Sequence, residues 1–192
     1  MIVISQCHFI YLKCRFLINY ITRILKSAPC LFFHMQVVSR HHIRRDSVRQ
    51  LRSSILNHFG IQLPGKQHEL VTFSDFEIDL VLIDGEPLAC YINDVPSLTV
   101  KGANTTFPSK KLVIVNQGAI PFVSNGADIM KPGILESDSS IEPGDIVVIA
   151  EGTHNKALSI GKAIVPGVEM LSSSGKAIES IHHVGDKLYH FS

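Results

Sequence analysis

Histidines near the C-terminus are the residues of this 192-residue chain whose types and spacing first suggest metal chemistry. His182, His183 and His190 would supply three imidazoles, which zinc accepts as ligands. Consecutive side chains of a strand point to opposite faces, however, so His182 and His183 cannot both enter one site without a bulge. We therefore expect no metal site and a structural or RNA-facing role for these histidines.

Carboxylates and sequence motifs give equally little support for catalysis. Glu77, Asp79 and Glu86 have the residue type for acid–base work. Glu77 and Asp79 share one side of a strand by the period of two, which favours a solvated sheet face. Neither a GxSxG nucleophile motif nor a GxGxxG phosphate loop occurs. We predict that the protein is not an enzyme and has no cofactor.

The stretch from Gln117 to Ile134 suggests chemistry of the main chain instead. It is typical of one or two helical turns, a corner closed by Gly126, and a short strand that ends at Pro132-Gly133. Gly126 stands where a helix needs a left-handed cap, which glycine adopts without a Cβ penalty. Such a corner lets another backbone approach and leaves N–H groups for phosphate oxygens or a base edge. Simple helix termination is the alternative.

Charge is distributed unevenly along the chain. The first 34 residues carry four basic residues and no acid, whereas the remaining 14 basic and 17 acidic residues leave a formal −3. Between Met35 and Gly60 there are five arginines and one acid, Asp46. Proteins that bind nucleic acid over a broad surface are usually basic throughout. Any RNA binding should therefore use a local patch and depend only weakly on salt.

Residues 1–34 form a separate extension that is apolar but interrupted by charge at Lys13, Arg15, Arg23 and Lys26. No run reaches the ~18 apolar residues of a membrane-spanning helix. We interpret the extension as a mis-annotated start upstream of Met35, with a poorly ordered extension or a membrane-surface helix as alternatives. Cys90 is the one cysteine after it, and the absence of a CxxC pair fits a reducing cytoplasm.

The elements that follow predict a helix packed on a small antiparallel sheet. Ser47 and Gln50 have the form of a capping box, apolar residues recur at helical spacing, and Gly60 closes the helix. Residues 69–73 and 76–83 are strand-like, and Asp84-Gly85 is a strong hairpin signal. Residues 96–108 contain two prolines, Gly102 and Asn104, which favour a crossing between two modules.

From Lys111 onward, many short strands and frequent turn residues predict a compact barrel. We expect a helix over 119–124 and strands over 112–115, 128–130, 145–150, 157–165, 180–184 and 187–191, the last two joined across Gly185-Asp186. The predicted fold class is thus α+β, with an N-terminal α/β module followed by a C-terminal β pseudo-barrel. The corresponding domains are 35–107 and 108–192.

The spacing of Gly118-Ala119, Gly126-Ala127-Asp128-Ile129-Met130 and Pro132-Gly133-Ile134 resembles the signature of the PUA domain, a small RNA-binding pseudo-barrel. Glu142 to Val148 resembles the strand-opening turn of the same domain. The later segments Ala157 to Gly161 and Gly175 to His190 are similar to the malignant T-cell-amplified sequence proteins and their archaeal relatives. Those proteins are translation factors with an α/β module before a PUA domain. The likeness covers roughly Met35 to the C-terminus and is loose between Pro96 and Pro108.

The resemblance implies an RNA surface between the short helix, the glycine corner and the final strand. It implies a phosphate contact from Lys131, backbone contacts to a base or ribose, and a stacking face on Tyr189. The residues on this surface would be Gly118, Gly126, Ala127, Asp128, Lys131, His183, Lys187 and Tyr189. We further hypothesise that four basic residues extend the footprint onto ribosomal RNA: Arg49, Arg52, Lys110 and Lys111. Ordinary surface charge is the alternative for these four.

The function implied by the resemblance is that of a cytoplasmic, RNA-binding translation factor. It would engage the small ribosomal subunit and the acceptor end of a transfer RNA during initiation or ribosome recycling. A partner protein with an initiation-factor-like domain is a possible companion. Two alternatives stay open: an accessory RNA-binding subunit of an enzyme that modifies transfer or ribosomal RNA, and a protein–protein adaptor.

Overall fold

The computed structural model describes residues 35–191. These residues fold as one compact unit built on two sheets. Our interpretation of residues 1–34 lies outside the described residues. Within 35–191, no helix has the length and apolar character needed to cross a membrane. The predicted α+β class, a helix on an antiparallel sheet followed by a β pseudo-barrel, is confirmed.

The first sheet is an antiparallel meander of five strands in the order β1-β2-β3-β4-β5. Helix α1 packs on it through its apolar stripe of Leu51, Ile55 and Phe59. The Asp84-Gly85 turn joins β3 and β4, as its sequence predicts. The elements are β1 (Val37–His42), α1 (Arg45–Phe59), β2 (His68–Phe73), β3 (Ile78–Ile83), β4 (Glu86–Ile92) and β5 (Val95–Leu98).

Helix α1 differs from its sequence prediction at one end only. Gly60 closes the helix with a φ of +73° and an N–H bond to the Leu56 carbonyl, as expected. The expected Ser47 cap is wrong, since the helix starts at Arg45 and Arg44 occupies the N-cap position without a side-chain bond. The packing of Leu51, Ile55 and Phe59 therefore stabilises the helix without a capping hydroxyl at its start.

Residues 96–108 are not a simple crossing, because they hold strand β5 and helix α2 (Val100–Thr106). Thr99 Oγ1 caps α2 by accepting the Gly102 N–H at 3.0 Å. A Cβ on Gly102 would lie 1.7 Å from the Leu88 carbonyl oxygen. The glycine that resembled a breaker thus lets the helix pack directly against β4.

The second sheet has the order β7-β11-β10-β9-β6-β8 and is nearly closed. Its strands are β6 (Leu112–Val115), β7 (Ile129–Met130), β8 (Ile134–Ser137), β9 (Ile146–Glu151), β10 (Ala157–Ala163) and β11 (Lys176–His183). Strand β6 runs parallel to β9 and antiparallel to β8. Helix α3 (Ile120–Ser124) follows β6, and a 3-10 turn at Lys131–Gly133 joins the two edge strands. The predicted strand at 187–191 is wrong, because β11 runs from Lys176 to His183 and the described residues after it form turns.

Two clusters of buried side chains form the core. One fills the barrel and includes Val113, Val123 and Ile149. The other begins under α1 and continues into the second sheet through Ile146, Val148 and Ile160. The outer faces of β9 and β10 therefore share one core with α1, α2 and the first sheet, and residues 35–191 form a single unit.

Candidate nucleic-acid interface

The glycine corner ends helix α3 with a compact hydrogen-bonded turn. Gly126 has a φ of +81°, the left-handed conformation that its position predicts. Its N–H donates to the Val123 carbonyl and the Ala127 N–H donates to the Phe122 carbonyl, both at 3.0 Å. These bonds form a Schellman motif. Our expectation that the corner leaves its N–H groups available to RNA is therefore wrong for Gly126 and Ala127.

The His183 ring fixes this corner from the side of β11. A Cβ on Gly126 would lie 2.7 Å from two ring atoms of His183. The His183 Nδ1–H donates to the carbonyls of Ser124 and Val184, at 3.0 and 2.9 Å. The half-buried His183 thus closes against the helix end, where any residue larger than glycine at 126 would collide with it.

Asp128 connects the corner to strand β11 at two places, its first residue Lys176 and the interior residue Ser180. One carboxylate oxygen accepts the Ser180 N–H at 3.0 Å, and the other pairs with Lys176 Nζ at 2.7 Å. The hydrogen bond from Lys176, together with that from the Ser180 backbone, lowers the pKa of Asp128 below its ordinary value. Asp128 is therefore a charged brace. Lys176 is a residue of this surface that sequence reasoning missed.

Gly118 and Lys131 lie on the two turns beside the corner. Gly118 is exposed in the turn before α3, which Asn116 stabilises by accepting the Ala119 N–H through Oδ1 at 3.0 Å. Asn116 Nδ2 also donates to the Pro132 carbonyl at 3.2 Å. Lys131 is half-buried, and its Nζ donates to Ser172 Oγ at 2.9 Å. A cation is therefore held beside the corner by a neutral hydroxyl.

An apolar cavity of about 250 Å³ opens between α3 and the β7–β8 connection. Phe122 and Met130 form its rim and are 68% and 50% exposed. Gly133 faces Ala119, whose Cβ would lie 3.2 Å from a Cβ at 133. We call this cavity the cradle; its lining residues are Ala119, Phe122, Val123, Ala127, Asp128, Ile129, Met130 and Gly133.

Sequence reasoning did not identify the aromatic side chain of the cradle. A five-residue helix buries only one of its faces, and in α3 that face carries Val123. Phe122 directly precedes Val123 in the chain and therefore points away from the core. The sequence feature that could have identified an exposed aromatic side chain was a short helix with two adjacent large apolar residues.

Lys187 and Tyr189, placed by the sequence on a last strand, lie elsewhere. The Tyr189 N–H donates to Asp186 Oδ1 at 2.8 Å in the turn after β11. Lys101 Nζ of helix α2 lies 5.6 Å from the Tyr189 ring centroid, and Lys187 Nζ lies 5.8 Å from the Phe76 ring centroid. Leu188, Tyr189 and Phe191, which were predicted to lie on a strand, instead pack the C-terminal turn against the cluster of the first sheet.

The four basic residues of the expected wider footprint do not converge. Arg52 turns inward and donates to the Gly65 carbonyl. Lys111 Nζ pairs with Asp145 at 2.6 Å and is 15% exposed. Arg49 is exposed on α1 beside Asp46, and Lys110 is exposed beyond the far end of β6 from the corner. The structure thus gathers Gly118, Gly126, Ala127, Asp128, Lys131 and His183 and separates the others.

The two adjacent histidines of β11 point to opposite faces, as strand geometry predicts. His182 is buried, and its Nδ1–H donates to Asp186 Oδ2 at 2.6 Å. Among residues 35–191, no group of three or more His, Cys, Asp or Glu side chains is arranged to hold a metal ion. The imidazoles serve the packing of the chain's end and of the glycine corner.

Comparison with known proteins identifies relatives over nearly the whole described region. The PUA domain family matches residues 111–185. An uncharacterized protein of Methanocaldococcus jannaschii is 35% identical over 82% of this chain and 99% of its own length. Translation machinery-associated protein 20 of Saccharomyces cerevisiae is 34% identical over 84% of this chain and 97% of its own length.

Solved structures agree with these relatives. A conserved PUA domain protein from Thermoplasma acidophilum superposes with a TM-score of 0.69 at 28% identity, over 79% of this chain and 97% of that one. A hypothetical protein from Pyrococcus horikoshii superposes with a TM-score of 0.71 at 25% identity, over 79% and 98%. Both alignments extend beyond the barrel into the region that precedes it.

Proposed function

The chain belongs to the family of PUA-domain proteins that includes translation machinery-associated protein 20 and malignant T-cell-amplified sequence 1, and from this membership we propose that it is a non-enzymatic, RNA-binding translation factor. In this proposal it works in the cytoplasm with the small ribosomal subunit and the acceptor end of a transfer RNA. Initiation or ribosome recycling is the step served. No cofactor is required.

The observation that carries the proposal is the cradle beside Lys131. Single-stranded RNA is commonly held by stacking its bases on aromatic side chains and by neutralising its phosphates. The cradle offers an exposed phenyl face at Phe122 and a flexible thioether at Met130. At about 250 Å³, it is smaller than the ~300–1,000 Å³ of typical ligand pockets. A single base therefore fits it better than a larger ligand.

Charge determines how the rest of the RNA is held. Lys131 is half-buried and linked only to a neutral hydroxyl, so its positive charge is available to a phosphate. Lys176 already pairs with Asp128, and its side chain is 39% exposed. Each phosphate contact on a single strand contributes a slope of about −0.7 to the plot of log K against log salt concentration. We expect a slope between about −0.7 and −1.4, for one or two contacts.

Asp128, His183 and Asn116 are positioning residues in this proposal. Their polar groups bond to the protein's own backbone and hold the corner, β11 and the 3-10 turn together. A base in the cradle would therefore meet preformed walls, which reduces the ordering cost of binding. Substitutions at these three residues should lower affinity by distorting the cradle rather than by removing a contact.

The binding experiment is fluorescence anisotropy with a labelled RNA that ends in 3′-CCA. Lys131→Glu should weaken binding at least about fivefold and flatten the salt dependence, because a phosphate contact is replaced by repulsion. Its thermal midpoint should stay nearly unchanged. Lys156→Glu, on the exposed turn between β9 and β10, is the matched control and should bind normally. Equal affinity of the Lys131 and Lys156 variants would remove Lys131 from the site.

The ribosomal part of the proposal needs a separate measurement. Cell extract sedimented through a sucrose gradient should show the protein with small subunits, and Lys131→Glu should shift it toward the free fractions. Wild-type protein found only in the free fractions would exclude the ribosomal role. Loss of one modified nucleoside on gene deletion would instead indicate an accessory subunit of a modification enzyme.

A further inference from the structure

A cleft of about 810 Å³ lies away from the cradle, beyond the other end of strand β6. Lys110 and Lys111 precede β6, whereas Gly118 follows it. Four strand residues separate the two places by about 13 Å. Ser54, Asn57, Val95, Ser109 and Lys110 line one part of this cleft, and Asp138 lines the part on the barrel. We call it the junction cleft.

Hydrogen bonds from the end of α1 and from the segment before β6 hold the walls of the junction cleft in place. The N–H groups of Ser109 and Lys110 both donate to the Phe59 carbonyl, at 3.1 and 3.2 Å. On the barrel side, the Lys111 N–H donates to Asp138 Oδ2 at 2.7 Å. His58 Nε2–H, at the end of α1, donates to the Ile146 carbonyl at 3.0 Å. The cleft is therefore preformed.

Several polar side chains in the cleft have unused hydrogen-bonding capacity. Within residues 35–191, the side chains of Ser54, Asn57, Ser109 and Lys110 make no hydrogen bond or ion pair. By contrast, both carboxylate oxygens of Asp138 accept N–H groups from the fold itself, from Lys111 and Ser140. The solvent-facing groups open to a ligand are thus three neutral hydrogen-bonding side chains and one cation.

The charge balance of the cleft argues against a polyanion. Lys110 is the one unpaired cation among its lining residues, because Lys111 is paired with Asp145. Asp138 retains a negative charge, and hydrogen bonds from Ser140 and Lys111 keep its pKa low despite partial burial. A nucleic-acid strand, with one charge per nucleotide, gains little here. A ligand with a single carboxylate placed at Lys110 gains one favourable pair without repulsion along its length.

The rest of the lining is suited to a peptide. Val95 is 48% exposed and lies next to Pro96 on the rim, where an aliphatic side chain could pack. Amide and hydroxyl groups of the wall can bond to peptide N–H and C=O groups. The volume falls within the ~300–1,000 Å³ of pockets that bury compact ligands.

We propose that the junction cleft binds a short peptide segment of a protein partner, with one acidic side chain of that segment paired to Lys110. Amide groups of the peptide bond to Asn57, Ser54 and Ser109, and an aliphatic side chain packs on Val95. This proposal goes beyond the RNA-binding function and does not depend on it, because the cleft and the cradle share no residue.

The test is selection of a random heptapeptide phage library on the full-length protein, with counter-selection on Asn57→Trp. Asn57 is exposed on α1, so tryptophan there blocks the cleft without disturbing the core. Enriched peptides are then synthesised and their dissociation constants measured. We expect each to contain Asp or Glu and to bind Lys110→Glu at least about tenfold more weakly, as for truncated or reversed charge pairs at interfaces. Lys156→Glu should bind them normally.

Two further measurements make the assignment specific. Changing the acidic residue of the peptide to its amide should weaken binding to the wild type but not to Lys110→Glu, since the pair is already lost there. The 3′-CCA RNA should bind Lys110→Glu and Asn57→Trp as it binds the wild type. Absence of enriched peptides, equal peptide affinity of Lys110→Glu, or loss of RNA binding in that variant would each overturn the proposal.

Discussion

The two faces of strand β11 place neighbouring histidines in opposite settings. His182 faces inward, 2% exposed, and its Nδ1–H donates to Asp186. His183 faces helix α3, where its ring lies against Gly126 and its Nδ1–H donates to the Ser124 carbonyl. The first face anchors the end of the chain in the interior. The second face shapes a surface that we assign to RNA.

A carboxylate completes each face, and the two carboxylates differ mainly in burial. Asp186, 17% exposed, accepts bonds from His182 and from the N–H groups of His183 and Tyr189. Asp128, 41% exposed, pairs with Lys176 and accepts the Ser180 N–H. Buried charges are costly to leave unpaired, whereas exposed pairs contribute little to stability. The comparison therefore assigns stability to the inner face and function to the outer one.

Removal of the inner carboxylate should have the largest effect. Asp186→Ala leaves one buried and two partly buried donors without their acceptor, and we expect the free energy of unfolding to fall by about 2–4 kcal/mol. Urea denaturation followed by circular dichroism measures this change. The same substitution at Asp128 is the matched control and should cost clearly less. Equal losses at the two positions would contradict the division between the faces.

Removal of the cradle's aromatic ring should affect binding instead of stability. Phe122→Ala is expected to weaken RNA binding by about 1–3 kcal/mol, roughly 5- to 150-fold, the range found for base–aromatic stacking. The 68% exposed ring contributes little to the core, so the unfolding free energy should change by less than about 0.5 kcal/mol. Anisotropy and urea titrations on one preparation test both statements. Unchanged RNA affinity would show that the cradle does not hold a base.

A methyl group at the glycine corner tests how tightly the outer face is built. Gly126→Ala forces a left-handed residue to carry a Cβ and brings it against the His183 ring, at a cost of about 1–2 kcal/mol in unfolding free energy. RNA affinity should fall as well, because the cradle is displaced. The double variant Gly126→Ala/His183→Ala should recover the part caused by the ring. Full additivity of the two substitutions would show that the ring and the corner are independent.

Acid should lower the free energy of unfolding through protonation of Asp186. Burial opposes ionisation of this carboxyl group, but the bonds from His182, His183 and Tyr189 outweigh burial and lower its pKa. The unfolded state then binds the proton first, so this stabilisation is complete above the ordinary pKa of ~3.9 and is lost as pH falls through the folded value. Stability measured from pH 6 to pH 2.5 should decline less in Asp186→Asn. A parallel decline in both proteins would contradict this assignment.

Removal of the exposed ion pair between Lys176 and Asp128 should have the smallest effect. Lys176→Met removes the ion pair with Asp128, and we expect a nearly unchanged thermal midpoint because solvent screens such pairs. RNA binding should weaken slightly at low salt and by less at high salt, where screening already suppresses the charge. Midpoints and anisotropy at two salt concentrations measure the difference. A large drop in the midpoint would show that the brace supports the fold.

Sequence patterns predicted the parts of the fold that local chemistry determines. Asp84-Gly85 and Gly60 are turn and cap signals whose backbone conformations need no tertiary information, and both are confirmed. The β5–α2 segment was missed because Pro96, Gly102 and Asn104 each favour a turn when considered alone. In the fold, Gly102 is required by contact with β4, and Asn104 bonds to the Ala157 backbone across the sheets. Both contacts are made with residues that are distant in the sequence.

The candidate site was predicted in part for the same reason. The position of Gly126 predicted the corner, because a left-handed helix cap leaves a signature in the sequence, whereas Asp128 and Lys131 were expected only from the resemblance to the PUA domain. Phe122 and Met130 were assigned no role, since the type of an apolar residue does not reveal whether it is exposed or buried. Tyr189 was misplaced because its segment, predicted as a strand paired across Gly185-Asp186, forms turns that pack on the first sheet.

The apolar cluster that continues from α1 into β9 and β10 has a consequence for how the protein can be divided. A fragment starting at residue 108 would present Ile146, Val148 and Ile160 to water, since these side chains are covered by the first sheet. Large exposed apolar surfaces promote aggregation. We expect such a fragment to be insoluble and the intact protein to melt in one cooperative step, because the barrel and the first sheet stabilise each other through one core.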